Sequence, residues 1–443
     1  MAANQSLWFN VLSMPFLREV DIQSPAPTAI KDRPPAELAG KTIIHINSTD
    51  QGGGVAEMLK SQVPLERDRG FDSRWFVMED VPSIFFEVTK KIHNLLQGAR
   101  GSLTSTEQVI YLKTNEHLIF SLASIIRKLK GGVVLIHDPQ PLPLIDFIPF
   151  NFASILRLHI DLSDPNKETA DFLKPFIYRY QHVVVSNLAY ADFLPGLSKS
   201  ICAIAPAIDP LAEKNKDIGR KYANYVLSMH GIDPSRLIMA QVARFDCWKD
   251  QISTIRAYKR LRRRFKNLQL ILAGIMTAKD DPEALAVLTE IIKQTKDDTN
   301  IFVFSKPSQI RHVSEDIFIN AINSGANVIM HKSTREGFGM AVTEAMWKER
   351  VVIAGRTPGT EMQIKDTLNG FIVSDWKQAA AQADRIFSDK SLALALGKNA
   401  KHSVSERYLI SRLIDDHRNL YFNCVRDQSR RMEVAAKVGL AAP

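Results

Sequence analysis

Two carboxylates and two glycines stand close together in Ser333–Trp347, which reads "STREGFGMAVTEAMW". Glu336 and Glu344 are eight positions apart, with Gly337 and Gly339 between them. The apolar run "ANVIMH" precedes this stretch and "VVIAG" follows it, so the order is strand, loop, helix, strand. Glycines at a helix start expose backbone N–H groups to a ligand. A carboxylate about one turn into the helix, as at Glu344, can accept two hydroxyl hydrogen bonds, the pattern a ribose diol supplies. Glu336, in the loop, could hold a sugar hydroxyl. One glutamate by itself would read as a capping carboxylate at a positive helix end. Two at this spacing around two glycines point to a ligand.

Arg244 and Lys249 flank "FDCW" where the strand "LIMAQVA" ends. A guanidinium fork and an ammonium point charge together suit a diphosphate. The alternative is that Lys249 merely opens the next helix in solvent. Gly52, Gly53 and Gly54 separate the strand "KTIIHINS" from the helix "VAEML". They suit either a tight turn or an anion held at the helix start. The dinucleotide fingerprint G-x-G-x-x-G is absent.

Strands alternating with helices must place these groups. "KTIIHINS", "SRWFVME", "GVVLIHDPQ", "ILRLHIDLS", "HVVVSN" and "ICAIAPAIDP" read as strands of a first half. A mostly helical stretch runs from Ile84 to Lys130. Six more strands follow: "LIMAQVARFDCWKD", "LQLILAGIM", "NIFVFS", "ANVIMHKS", "VVIAG" and "GFIVSD". The fold class is α/β, with two doubly wound parallel sheets. Ligands of such sheets gather at the carboxyl ends of the strands, so two facing domains with a cleft between them are expected. The boundaries read as an extension over 1–38, a first domain over 39–212, a second over 213–400 and a C-terminal helix over 401–430. Residues 1–38 read as irregular or partly helical, with "SPAPTAIKDRPPAEL" as a linker.

Composition excludes several classes. A chain of 443 residues with 45% hydrophobic and 24% charged residues is ordinary globular protein and calls for two domains. Three cysteines (Cys202, Cys247 and Cys424) make no disulfide framework or zinc pattern, which fits a cytoplasmic setting. The apolar N-terminal run "SLWFNVLSMPFL" lacks a preceding basic residue and a cleavage site, so it is not read as a signal peptide. "LIDFIPFNFASILRL" is broken by Asp146, Asn151 and Arg157 and is not read as a membrane span. The net charge is +9 and its densest basic run is "YKRLRRRFK". Ile252, Ile255, Tyr258, Leu261 and Phe265 fall at helical spacing there, so it reads as an amphipathic helix with a solvated basic face. No nucleic-acid module accompanies it.

"REGFGMAVTEAMW" resembles the E-x7-E signature of retaining GT-B glycosyltransferases of family GT4, and "RFDCWKD" resembles that family's Arg/Lys phosphate site. "HINSTDQGGGVAEML", "HDPQP", "HIDLSDPN" and "AIDPLAEKN" are similar to the glycosyltransferring trehalose synthases within it, and are shared in form with retaining trehalose phosphorylases. The resemblance runs from about Lys41 to the C-terminal helix. It implies a hexosyltransferase that moves glucose from a nucleotide-glucose to glucose, giving α,α-trehalose. The alternatives it leaves are a phosphorylase, a transferase with a lipid-linked or other sugar acceptor, and a non-catalytic nucleotide-sugar sensor. The donor base, the direction of the reaction and the oligomeric state stay open.

The resemblance also implies roles. Arg244 and Lys249 would neutralise the leaving diphosphate, Glu344 would bind the ribose and Glu336 the transferred glucose. The backbone of Gly337, Phe338 and Gly339 would touch the donor sugar, and Gly53 and Gly54 would close over the phosphates. His159 would sit near the anomeric centre with Asp161 beside it, while Asp138 and Asn47 would meet the acceptor. The C-terminal helix would cross back to the first domain. No Asp-x-Asp occurs in the chain, and no metal or cofactor is expected. Expected partners are small-molecule sugars and a nucleotide sugar, without nucleic acid or membrane, and with a homodimer as an open option. The sequence departs from the family at "KERVVIAG", where Gly-Pro is usual before the strand, at Gly359-Thr360, where Gly-Gly is usual, and at Cys247, where proline is common. The change at Thr360 bears on sugar identity more than on reaction type.

Overall fold

In the computed structural model, residues 14–22, 35–197, 200–275 and 284–437 are described. The chain divides into two compact units, Met1–Ile204 with Ile414–Pro443, and Ala205–Leu413.

The first unit holds strands β1 (Phe16–Glu19), β2 (Thr42–Asn47), β3 (Asp72–Glu79), β4 (Gly132–His137), β5 (Phe152–Leu158), β6 (His182–Val185) and β7 (Ile201–Ala203). Its sheet runs β1-β3-β2-β4-β5-β6-β7. Helices α1 (Gly54–Asp68), α2 (Ser83–Leu96), α3 (Ser105–Ile126) and α4 (Lys167–Ile177) connect them. Strands β2, β4 and β5 are buried at every position. That is why they read as continuous apolar runs rather than alternating ones: both faces of a parallel sheet are covered.

The second unit holds β8 (Ile238–Val242), β9 (Gln269–Ala273), β10 (Ile301–Phe304), β11 (Val328–His331), β12 (Val351–Gly355) and β13 (Phe371–Val373), in the order β10-β9-β8-β11-β12-β13. This is the 3-2-1-4-5-6 order of the doubly wound fold. Its helices are α5 (Arg220–Met229), α6 (Gln251–Leu261), α7 (Ala284–Thr295), α8 (Glu315–Gly325), α9 (Met340–Trp347), the single turn α10 (Pro358–Glu361), α11 (Trp376–Ser388) and α12 (Lys390–Arg407). The last helix, α13 (Ile410–Lys437), belongs to the first unit from Ile414 onward. The basic run lies on α6 and just beyond it, with Ile255, Tyr258 and Leu261 on the buried side. No helix among the described residues is long and apolar enough to cross a membrane.

One expectation needs correction. The N-terminal extension is not irregular or helical throughout, because Phe16–Glu19 pairs antiparallel with β3. Four residues are too short to show a period, but the pairing is well fixed. Val20 N–H donates to Trp75 O at 2.8 Å, Leu17 N–H donates to Ser121 Oγ at 2.9 Å, and Arg18 pairs with Glu79 at 2.7 Å and Asp50 at 2.9 Å. Of the linker read over 24–38, residues 24–34 lie outside the described residues and Ala36–Leu38 form a 3-10 turn, while residues 6–13 of the apolar N-terminal run also lie outside them. The mostly helical stretch from Ile84 to Lys130 is two helices, α2 and α3, divided after Leu96. Gly98 and Gly101 take positive φ there, and a Thr104–Glu107 capping box starts a new helix.

Strand β1 covers what would be an open edge of β3. Leu17 is buried in the core beneath it. Leu17→Ala is expected to lower stability by roughly 2–5 kcal/mol, measured by urea unfolding. An unchanged midpoint would show that β1 is not part of the cooperative unit.

Candidate active site

In a doubly wound sheet, the loops leaving the two strands at the reversal of strand order splay apart and bind ligands. In the second unit these strands are β8 and β11. Arg244 and Lys249 follow β8, and Glu336 follows β11.

The loop after β8 is braced from both sides. Asp246 Oδ1 accepts from Trp248 N–H at 3.0 Å, which starts a tight turn over Cys247–Lys249. Gln251 Nε2 donates to Arg244 O at 2.8 Å, and Gln241 Nε2 donates to Lys249 O at 2.7 Å. Thr254 Oγ1 holds Gln241 Oε1 at 2.5 Å. Asp250 then takes φ +46° and caps α6 through Ser253 N–H. Held this way, the Lys249 ammonium lies 2.5 Å from Glu336 Oε2. Arg244 is more open, with its guanidinium 3.8 Å from Asp246 Oδ2.

Glu336 is buried. His331 Nε2 lies 2.6 Å from the same Oε2, and Ser333 Oγ donates to it at 3.1 Å. Burial would raise the pKa of this carboxyl. The charge of Lys249, with the hydrogen bond and charge of His331, instead holds it well below the usual carboxylate range. The two loops are also tied through their backbones, since Thr334 N–H donates to Trp248 O at 2.8 Å.

Gly339, at φ +88°, begins α9. A Cβ there would come within 3.1 Å of Glu336 Cγ and 3.3 Å of His331 Nε2. Phe338 points into the core and meets the Tyr408 ring at a centroid distance of 5.4 Å. Glu344 is buried on α9. Gln363 anchors the loop: its Nε2 donates to Phe338 O at 2.5 Å, and its Oε1 accepts from Thr343 Oγ1 at 2.6 Å. Gly359 packs so closely on this loop that a Cβ would lie 2.4 Å from Glu336 O and 2.8 Å from Phe338 N.

The first unit gathers the other named residues at its own strand ends. Gly53 caps α1 in an extended conformation with no side-chain cap, and Gly54 opens the helix. Arg18 reaches Asp50 in the loop just before them. Asn47 is occupied within the protein, donating to Thr49 O at 2.6 Å and accepting from Trp75 Nε1 at 2.6 Å. Asp161 Oδ1 accepts from Ser163 N–H and Oγ at 3.0 and 2.6 Å. Asp138, at φ +63°, accepts from His159 N–H at 2.7 Å and so fixes the backbone that carries His159. Among the described residues, no group of three or more His, Cys, Asp or Glu side chains is placed to hold a metal ion.

Several residues that shape these sites carry little signal in the sequence. His331 and Ser333 end the strand "VIMH" and begin its loop, so their position next to Glu336 is their only mark. Gln241, Gln251 and Gln363 act through single amides at unremarkable positions.

The architecture matches a solved structure. α,α-Trehalose 6-phosphate synthase from Burkholderia multivorans overlays with a TM-score of 0.69 over 89% of this chain and 100% of that one, at 14% identity. Two Rossmann-like units with a polar site at the strand ends of the second define a glycosyltransferase of GT-B fold. Residues 45–192 match the family model described as trehalose synthase, N-terminal domain, and residues 228–403 match glycosyl transferases group 1. Trehalose synthase from Thermococcus litoralis is 38% identical over 86% of this chain and 90% of its own length. Trehalose phosphorylase from Pleurotus pulmonarius is 26% identical over 81% of this chain and 54% of its own. The chain belongs to the trehalose synthase family of glycosyltransferases.

The depressed Glu336 ties stability to pH. An unfolded glutamate titrates near ~4.3, and the folded one titrates lower. The unfolded chain therefore binds the proton first as pH falls. The stability this group contributes is present above the unfolded value and lost on approach to the folded one. The stability difference between wild type and Glu336→Gln is expected to shrink from about pH 6 to about pH 3 in urea unfolding. A constant difference would show that the carboxylate is not held ionised. Gly359→Ala is expected to cost roughly 1–3 kcal/mol by overpacking and to slow turnover, read by thermal unfolding and initial rates. Wild-type behaviour would mean that the loop over Glu336–Phe338 has room to move.

Proposed function

We propose that the chain is a retaining glucosyltransferase that moves glucose from a nucleotide-glucose to free glucose, forming α,α-trehalose. The observation that carries this reading is the Lys249–Glu336 pair at the strand reversal. It sets a cation suited to a diphosphate beside a carboxylate suited to a sugar hydroxyl. The relative's printed name supplies the product.

In this reading Arg244 and Lys249 neutralise the departing diphosphate, Glu336 orients the glucose and Glu344 receives the ribose hydroxyls. The backbone at Gly337, Phe338 and Gly339 lines the donor sugar. Gly53 and Gly54, at the uncapped start of α1, offer N–H groups to the phosphates. His159 stands near the anomeric carbon. Asp138, Asn47 and Asp161 shape the acceptor end by fixing the loops that carry it. Retention follows from front-face attack. The acceptor oxygen forms its bond to the anomeric carbon as the phosphate oxygen leaves, and that oxygen takes the acceptor's proton. No protein nucleophile and no metal are needed.

The test is incubation with glucose and a panel of nucleotide-glucoses, with trehalose measured directly. Trehalose is expected without added phosphate. Product that appears only from glucose 1-phosphate would make the chain a phosphorylase, the reading favoured by its match to the fungal enzyme. Arg244→Ala and Lys249→Ala are each expected to cut turnover by ~10²–10³, the usual effect of removing one donor to a developing anion. Near-normal turnover in both would sink the leaving-group assignment.

A further inference from the structure

Three histidines stand in a row across the first unit's sheet. His45 lies on β2 opposite Leu135, and His137 is two residues further along β4, on the same face. His137 lies opposite Arg157, and His159 is two residues further on, just past β5. Each step crosses one strand and advances two residues, so the rings overlap. Their centroids are 5.4 and 5.3 Å apart and their planes differ by 25° and 19°. His45 Nδ1 meets His137 Nε2 at 3.1 Å, and His137 Nδ1 meets His159 Nε2 at 3.0 Å. At the inner end, His45 Nε2 lies 3.0 Å from Glu66 Oε2. His45, His137 and Glu66 have no exposed surface. His159 is half-buried, and its Nδ1 has no hydrogen bond among the described residues.

Such a row has a direction. Every bond between two ring nitrogens needs one N–H and one lone pair. An ionised Glu66 can only accept. It already accepts from Ser73 Oγ at 2.5 Å, Gln62 Nε2 at 2.8 Å and Tyr421 OH at 2.9 Å. His45 Nε2 must therefore donate to it. With neutral rings, His45 Nδ1 then accepts from His137 Nε2–H, and His137 Nδ1 accepts from His159 Nε2–H. The lone pair of the last ring is left on His159 Nδ1.

We propose that Glu66, acting through His45 and His137, sets the tautomer of His159 so that Nδ1 presents a hydrogen-bond acceptor to a sugar hydroxyl. The sugar-facing part of this rests on the placement of His159 under the proposed function. Glu66, His45 and His137 are positioning residues. Two of the three rings, His137 and His159, are held neutral by their surroundings. Burial, followed by neighbouring positive charge including Arg157, holds His137 and His159 well below the usual histidine pKa. Glu66 is held well below the usual carboxylate range in spite of its burial, so it acts as an acceptor only. Arg157 donates to His417 Nε2 beside this row.

Glu66→Gln reverses the direction. A glutamine whose oxygen keeps Tyr421 and Gln62 turns its NH₂ toward His45 Nε2 and Ser73. His45 must then accept at Nε2 and donate at Nδ1, and the reversal passes through His137 to give His159 an Nδ1–H. The experiment is long-range proton–nitrogen correlation NMR on the full chain with ¹⁵N-labelled histidine, with the His159 signals assigned by a His159→Gln variant. Wild type should show His159 as the Nε2–H tautomer, and folded Glu66→Gln should show Nδ1–H. A wild-type His159 that carries its proton on Nδ1 overturns the proposal even if the variant fails to fold. So does an unchanged tautomer in a folded variant. Trehalose formation by Glu66→Gln should fall about tenfold or more in kcat/KM. Reversed spectra with unchanged kcat/KM would keep the row but overturn His159 as a sugar contact. Absence of any transferase activity in wild type would instead overturn the functional reading and leave the spectra to decide the row.

Discussion

The second unit is organised around one buried carboxylate. Glu336 would be costly to hold ionised away from water unless donors met it there. Lys249, His331 and Ser333 all meet it at the same oxygen. His331 and Ser333 come from its own strand and loop. Lys249 comes from the loop after β8, so β8 and β11 must be neighbours with their following chain at the same edge. The 3-2-1-4-5-6 order makes them so. The same crowding explains the residues packed around the carboxylate. Gly339 has no Cβ because Glu336 and His331 fill that space, and Gly359 has none because the Glu336–Phe338 backbone does. Breaking a buried pair by removing one partner costs about 3–5 kcal/mol, so Lys249 is a condition of the shape of this region.

The first unit solves a similar problem with neutral groups. Its central strands bury His45 and His137 among mostly apolar residues, and those rings meet each other in a line that ends on Glu66. Glu66 is met in turn by Ser73, Gln62 and Tyr421, the last on α13. The C-terminal helix therefore contributes more than apolar cover to this unit, because it brings a hydroxyl to the buried carboxylate. Among rings bonded in a line, a change in one donor or acceptor must be passed to the next.

The strands were legible because parallel strands buried on both faces are short apolar runs, and all twelve such runs carry strands. The strand β1 was not, because four residues are too few to show a period and only the pairing with β3 fixes them. In the site, Arg244, Lys249 and Glu336 could be read from residue type and from their place at strand ends. The 2.5 Å approach of Lys249 to Glu336 could not, since it joins positions 87 residues apart through strand order. The three histidines were each visible, one near the end of "IIHIN", "LIHDP" and "RLHID". What hid the row was register. Only the pairing of β2 with β4 and of β4 with β5 shows that each histidine stands one strand over and two residues along.

The charge state of Glu336 bears on the kind of transfer the site can support. A carboxylate whose Oε2 meets an ammonium, an imidazole and a hydroxyl is a weak base and a weak nucleophile, because the donors that depress its pKa also stabilise its lone pairs. A glycosidase-type double displacement needs a nucleophilic carboxylate and a second carboxyl group of raised pKa. Glu336 is depressed instead. In the proposed transfer it fixes the hydroxyls of the sugar while keeping Lys249 in place for the leaving diphosphate. A single ion pair can do both only if it stays intact through the reaction, which is the condition set by its burial and by the glutamine braces on either side.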